Sequence, residues 1–324
     1  MKHAAINAFY IDSVAKTTEK ITSDIFPKLR NDADYIWLQL DLNSAETKRL
    51  VESLHENEII TTALTREDSR PRLAVYPDEL LLVVRGVNLI KGEKPENMIS
   101  VRILATKNMV ITCQKKSLNA IKSLVTDMEQ NKAPKTTGDF IVRLNERLVF
   151  NMSEVMEDIE EAAISMEEMV LDDAGDDDER KDELYNLRRQ IIQLKRFLLP
   201  QRDALNKLQI EKTNWMTTKQ QLRLREVSDY LMRYLEMLEA ARELASVSQE
   251  TLINRSNEQI NSRMYLLSII TALFLPLSFF TGLLGVNLAG IPRAENHYAF
   301  GFFVLILLVI VAFQFWFFRK NKWL

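Results

Sequence analysis

A single cysteine, Cys113, occurs in 324 residues, which excludes an intrachain disulfide framework and fits a reducing compartment. Histidine is nearly as scarce: His3, His55 and His297 are scattered, with none of the spacings that build a zinc site. Neither a G-x-x-x-x-G-K-S/T loop nor a G-x-G-x-x-G stretch is present, so nothing in the chain reads as a nucleotide-phosphate cradle. No Ser/His/Asp or Cys/His grouping supports catalysis, and the chain is expected to be no enzyme and to need no cofactor. A net charge of −3 gives no general pull toward nucleic acid. Residues 1–13 lack an apolar core long enough for a secretory signal, so the N-terminal part is expected to stay where it is made.

Charge is missing altogether from two stretches near the C-terminus, 264–292 and 298–318. Each holds a run at or above the roughly 20 apolar residues that an α-helix needs to cross a hydrocarbon core. Two isolated spans cannot close a barrel, so they predict a helical hairpin. Arg255 and Arg263 precede the first run and Arg319, Lys320 and Lys322 follow the second, while the link carries only Arg293. The bias of basic residues places both termini in the cytoplasm and the link outside. Trp316 and Trp323 suit the inner interface.

The first third reads as mixed α/β. Strands are expected at 35–40, 72–76, 79–90, 99–106 and 109–113, with turns at Pro77-Asp78 and Lys107-Asn108. A helix is expected from about Ala45, with Asn43 and Glu46 spaced as a capping box, and another over 115–130. Residues 132–138 read as a linker. Beyond it glycine and proline nearly vanish: only Gly175 and Pro200 occur before Pro276. Residues 201–275 are therefore expected to form one helix, about 110 Å long at 1.5 Å per residue. Val227, Leu231, Tyr234, Leu238, Ala241 and Ala245 alternate spacings of four and three along it, a seam that must be covered by the preceding helices or by other copies.

A second register follows the same helix on roughly the opposite face. It comprises Asn254, Asn257, Asn261, Met264, Ser268, Thr271, Leu275, Ser278, Gly282 and Gly285, most of them small or polar. Polar groups facing lipid cost free energy, so this stripe should meet protein or water. It is read either as a helix-packing face or as one wall of a pore that several copies enclose. The second span holds almost only Phe, Leu, Ile and Val and reads as a lipid-facing outer helix. The three Asn continue the stripe outside the apolar run, where lipid packing is no explanation. A ring of their neutral carbonyl oxygens suits a hydrated divalent cation held through its waters.

Residues 265–292, YLLSIITALFLPLSFFTGLLGVNLAGIP, resemble the first span and signature loop of the CorA family of divalent-cation transporters. Residues 187–205, LRRQIIQLKRFLLPQRDAL, resemble that family's cytoplasmic helix, and the basic, Trp-bearing end from Arg319 is similar to its tail. The family's Gly-Met-Asn appears here as Gly285-Val286-Asn287, a change that looks like its zinc-transporting, ZntB-type branch. The resemblance implies a homopentameric funnel: an α+β cytosolic domain, long stalk helices and a two-helix transmembrane hairpin. The segments expected are 1–137 mixed α/β, 138–262 helical region and stalk, 263–286 pore-lining span, 287–297 outer loop, 298–318 second span and 319–324 basic tail. Gly285 would permit the turn after the helix, Asn287 would present its amide at the pore mouth, and Val286 would support the loop.

Residues 154–183 hold fifteen acids against Arg180 and Lys181. They read either as a solvated face or as a cytosolic collector of cations, with Glu160, Glu161, Glu167, Glu168, Asp172 and Asp173 as candidates. Glu250 is a candidate acidic ring at the inner pore end. Arg188, Arg189, Lys195 and Arg196 are expected to partner the acids, and His297 is a weak ligand candidate in the outer loop. The expected protein is a multi-pass transporter of the cell inner membrane. It carries Zn²⁺, with Mg²⁺ or Co²⁺ as the alternative cargo, and its partners are its own copies, the bilayer and divalent cations. A membrane-anchored receptor or scaffold is the alternative of another class.

Overall fold

The short β-branched runs of the first third pair into one sheet in the computed structural model, which describes residues 5–21, 29–32, 34–66, 70–172, 177–211, 213–285 and 298–321. The strands are β1 (Ala5–Asp12), β2 (Thr17–Lys20), β3 (Tyr35–Asp41), β4 (Arg72–Val75), β5 (Glu79–Gly86), β6 (Ile99–Thr106) and β7 (Met109–Gln114), in the order β2-β1-β3-β7-β6-β5-β4. β3 and β7 pair in parallel and every other neighbour antiparallel. β3 is covered on both faces, which is why 35–40 is apolar almost throughout. By compactness the chain falls into two units, Met1–Gln249 and Glu250–Leu324.

In the first unit, α1 (Ala45–Leu54) and α2 (Glu58–Thr65) cover one sheet face. Val51, Ile60 and Leu64 share a core with Leu38, Leu40, Leu81, Leu104, Ile111 and Cys113. On the other face lie Trp37 and α4 (Thr137–Phe150), with the Trp37 ring 4.9 Å from that of Phe140. Trp37 Nε1 meets its polar requirement by donating to Thr112 Oγ1 at 3.0 Å. A Cβ on Gly86 would lie 2.8 Å from a Leu148 methyl and 3.0 Å from a Leu118 methyl, so a larger residue there requires those side chains to shift.

Several local expectations need correction. α1 is capped by Ser44, whose Oγ accepts from Glu46 N at 3.3 Å, while Asn43 turns its amide to Asp41 and to the Lys115 carbonyl. β1 and β2 were not anticipated, the expected strand 79–90 stops at Gly86, and the helix expected over 115–130 begins only at Asn119, as α3 (Asn119–Glu129). Residues 132–138 are no loose linker. The Pro134 carbonyl accepts from Tyr35 Oη at 2.9 Å, Thr136 caps α4, and Gly138 is buried in its first turn.

The long helical part also differs. After α5 (Ser153–Leu171), α6 (Asp177–Ile210) runs straight through Pro200. Burial of Leu194, Leu198, Gln201, Leu205 and Leu208 around the proline outweighs its helix penalty of about 3 kcal/mol. The break comes instead at 211–217, before α7 (Thr218–Gly285). Thr217 and Gln220 form a reciprocal capping box: Gln220 N donates to Thr217 Oγ1 at 3.3 Å and Thr217 N donates to Gln220 Oε1 at 2.9 Å. Gln220 Nε2 also donates to Thr136 Oγ1 at 2.9 Å, which ties the first turns of α4 and α7 together.

α6 is the partner that the α7 seam requires. The two run antiparallel, linked by Ser228–Asn206, Lys195–Glu239 and Arg188–Gln249. Val227, Leu231, Leu238, Ala241 and Ala245 are buried; Tyr234 is half-buried, its Oη donating to the Val149 carbonyl of α4 at 3.4 Å, and Leu235 is buried beside it. Leu231 has no exposed surface. Leu231→Ala is therefore expected to destabilise the purified protein by about 2–5 kcal/mol, read as a lowered denaturation midpoint. A loss below about 0.5 kcal/mol, the range of surface substitutions, would contradict a packed seam.

Candidate functional site

Within the second unit, α7 continues from Glu250 to Gly285 and is followed by α8 (Ala299–Lys320). α7 and α8 are the two helices, among the described residues, that are long and apolar enough to cross a membrane. Both expose large apolar side chains along the spans, including Leu266, Phe274, Phe279, Leu305 and Phe315, as lipid contact demands.

An α-helix turns by about 100° per residue, so the side of α7 that meets α8 can be read from burial. Ile269, Leu273, Pro276 and Leu277 are the half-buried positions of the span. The stripe residues Asn254, Asn257, Asn261, Met264, Ser268, Thr271, Leu275, Gly282 and Gly285 are all exposed. Those within the span fall on roughly the opposite side from the α8 contact. Ser278 is at the stripe's edge, lining a groove with Thr281, Val304 and Leu308. The packing face of the hairpin is thus not the stripe.

The stripe hydroxyls have a defined polarity. Ser268 Oγ donates to the Met264 carbonyl and Thr271 Oγ1 to the Leu267 carbonyl, both at 2.8 Å. With the O–H turned back into the helix, each oxygen keeps its lone pairs for an outside donor such as the water shell of a cation. Val286, Asn287 and His297 lie outside the described residues, as does Asp173.

In the first unit the acidic candidates Glu160, Glu161, Glu168 and Asp172 are exposed on α5 and Glu167 is half-exposed, opposite the buried Val155, Ile159, Ala163, Met166 and Val170. Glu250 is exposed in the second unit. No group of three or more His, Cys, Asp or Glu is arranged to hold a metal among the described residues. The basic residues do not face the acids as expected: Arg188 donates to Gln249, Lys195 pairs with Glu239, and Arg196 lies 5.5 Å from the Phe197 ring centre. α7 supplied nearer polar partners. Cys113 is sealed in the sheet core, where burial pushes its thiol up to about 12, and His55 Nε2 sits 2.8 Å from Glu79 Oε2.

One residue of the hairpin escaped the sequence reading. Gln314 is the lone amide of the second span, and its Nε2 donates to the Ala272 carbonyl of α7 at 3.3 Å. A single amide among Phe, Leu, Ile and Val was the available signal.

The family model described as CorA-like Mg2+ transporter protein matches residues 32–320. A zinc transport protein, ZntB, of Pectobacterium atrosepticum is 30% identical over 321 residues, covering 99% of this chain and 96% of that one. A divalent cation transporter, CmaX, of Pseudomonas aeruginosa is 37% identical over 292 residues, 89% of this chain and 87% of its own. The structure of the full-length CmaX protein superposes with a TM-score of 0.83 at 33% identity, covering 99% of this chain and 98% of that one.

Proposed function

The chain belongs to the CorA family of divalent-cation transporters, and from that premise we propose that it carries zinc ions through a homopentameric pore lined by the stripe of α7. The observation that carries this reading is the stripe's position: its span residues stand exposed, away from the face that α8 covers. One helix cannot enclose a channel, so several copies must turn these residues toward a shared axis. Five copies are what the family resemblance implies.

A divalent ion gives up its water reluctantly, and neutral oxygens can hold it through its hydration shell. The hydroxyl oxygens of Ser268 and Thr271 and the amides of Asn254, Asn257 and Asn261 supply such acceptors along the path. Asn287 presents its amide at the outer mouth, after the turn at Gly285. Acids on α5, with Glu250 near the inner end, raise the local cation concentration, and the family resemblance implies a regulatory role for them in reporting cytosolic metal. Basic residues at both helix ends set the orientation, with the termini in the cytoplasm and the protein in the inner membrane. The spans contain no Asp, Glu or His, so the proton of any coupled mechanism enters with the ion rather than through an intramembrane relay.

Zinc is favoured as cargo by the Gly285-Val286-Asn287 variant and by the ZntB relative that matches nearly the whole chain. The magnesium description of the family model supports a second reading, an Mg²⁺ or Co²⁺ channel of the same build. Flux of zinc and of magnesium into proteoliposomes, with and without a pH gradient, separates them. Zinc uptake that rises with the gradient supports the proposal; magnesium flux indifferent to pH supports the channel; flux of neither metal leaves the hairpin as an anchor. Val286→Met is expected to move the preference toward magnesium, and an unchanged zinc-to-magnesium ratio would show that this position does not set it.

A further inference from the structure

Pro276 lies inside α7, in the middle of the first span, and has no N–H. The carbonyl that would receive it, four residues back, is that of Ala272. In hydrocarbon no water can meet a carbonyl left in this way, and each such group costs several kcal/mol. The amide of Gln314 meets it: Nε2 reaches across from α8 and donates to Ala272 O at 3.3 Å. Gln314 and Pro276 therefore belong to one device, although 38 positions separate them in the sequence. The proline opens the backbone ladder at one carbonyl, and the only amide of the second span closes it from outside.

Resting on the pore reading above, we propose that Gln314 is a positioning residue, a clasp that fixes the proline-interrupted turn of the pore helix and so the aim of Thr271 and Leu275. Ala272 adjoins Thr271, and Leu275 adjoins Pro276, so a rotation of this turn re-aims both stripe residues. Gln314 touches no ion. Its Oε1 is buried without a donor, which leaves the bond to Ala272 as the amide's fixed point.

The test is a double-substitution cycle in the full-length protein. Gln314→Leu keeps the volume and removes the donor; Pro276→Ala restores an N–H to the Ala272 carbonyl from within α7. Gln314→Leu alone is expected to lower zinc or magnesium flux about threefold or more, the scale on which interhelical hydrogen bonds in membranes act, and to lower the thermal midpoint in nanodiscs. In the Pro276→Ala background the same substitution is expected to change neither flux nor midpoint. Equal effects of Gln314→Leu in both backgrounds would overturn the clasp, as would wild-type flux in the single variant. The thermal cycle reads the bond even where Pro276→Ala itself reduces flux. Absence of flux in the wild type would instead count against the pore reading, and the midpoints would still decide whether positions 276 and 314 are coupled.

Discussion

Asn287→Ala is expected to reduce metal flux by about 100-fold or more, with the oligomer and the melting behaviour of the protein unchanged. The amide is the last polar group of the Gly285-Val286-Asn287 motif, proposed above to stand at the pore mouth, and alanine offers nothing in its place. A hydrogen bond to a charged partner is worth about 1.5–3 kcal/mol, and every copy around the axis loses it together. Even the low end of that range, lost in several subunits, exceeds a hundredfold change in the occupancy of the mouth. Size-exclusion chromatography and thermal denaturation identify a variant that fails merely to assemble. Flux within twofold of wild type from an intact oligomer would remove Asn287 from the path, and with it the argument from the signature loop. Asn287→Asp is the complementary change. It adds a negative charge per copy where cations arrive, so capture should become strongly dependent on ionic strength.

What the sequence revealed about this protein was set by the range of the physical signal. The spans are legible because lipid forbids charge over more than twenty consecutive residues, a rule that acts position by position. β3, β6 and β7 are legible for a similar local reason: each is a short β-branched run closed by a turn. β1 is hidden because its pairing with β3 is formed across the chain and leaves no local turn signal to mark it. The boundary between α6 and α7 is harder to read. Helix propensity marks proline as a breaker, yet the packing of α6 overrides it, while the true break carries a Thr-x-x-Gln capping box that propensity overlooks. The stripe was visible as a period, but a period names a face without saying what covers it. Only the position of α8 separates the packing side of α7 from the stripe. Gln314 shows the limit most clearly, because its partner is a backbone carbonyl exposed by a proline on another helix.

Cysteines placed on the two sides of α7 should react at very different rates. The wild-type background is silent: Cys113 has no exposed surface, and its thiol is pushed up to about 12 by burial. The thiolate is the reactive form, and burial disfavours it. Ser268→Cys and Thr271→Cys put a thiol on the stripe; Ile269→Cys and Leu273→Cys put one on the side that meets α8. A small, charged, membrane-impermeant thiol reagent reaches a thiol only through water. If the stripe lines a wet pore, the first pair is expected to label at least about tenfold faster than the second, with loss of flux in proportion to labelling. Lipid and a sealed helix interface both keep a thiol protonated and unreactive, so silence at all four positions would overturn the wet pore and leave the stripe against lipid or against another copy. Protection of Thr271→Cys by magnesium adds a point that labelling alone lacks, because a hard cation that thiolates bind poorly shields the thiol by occupying the same wet path.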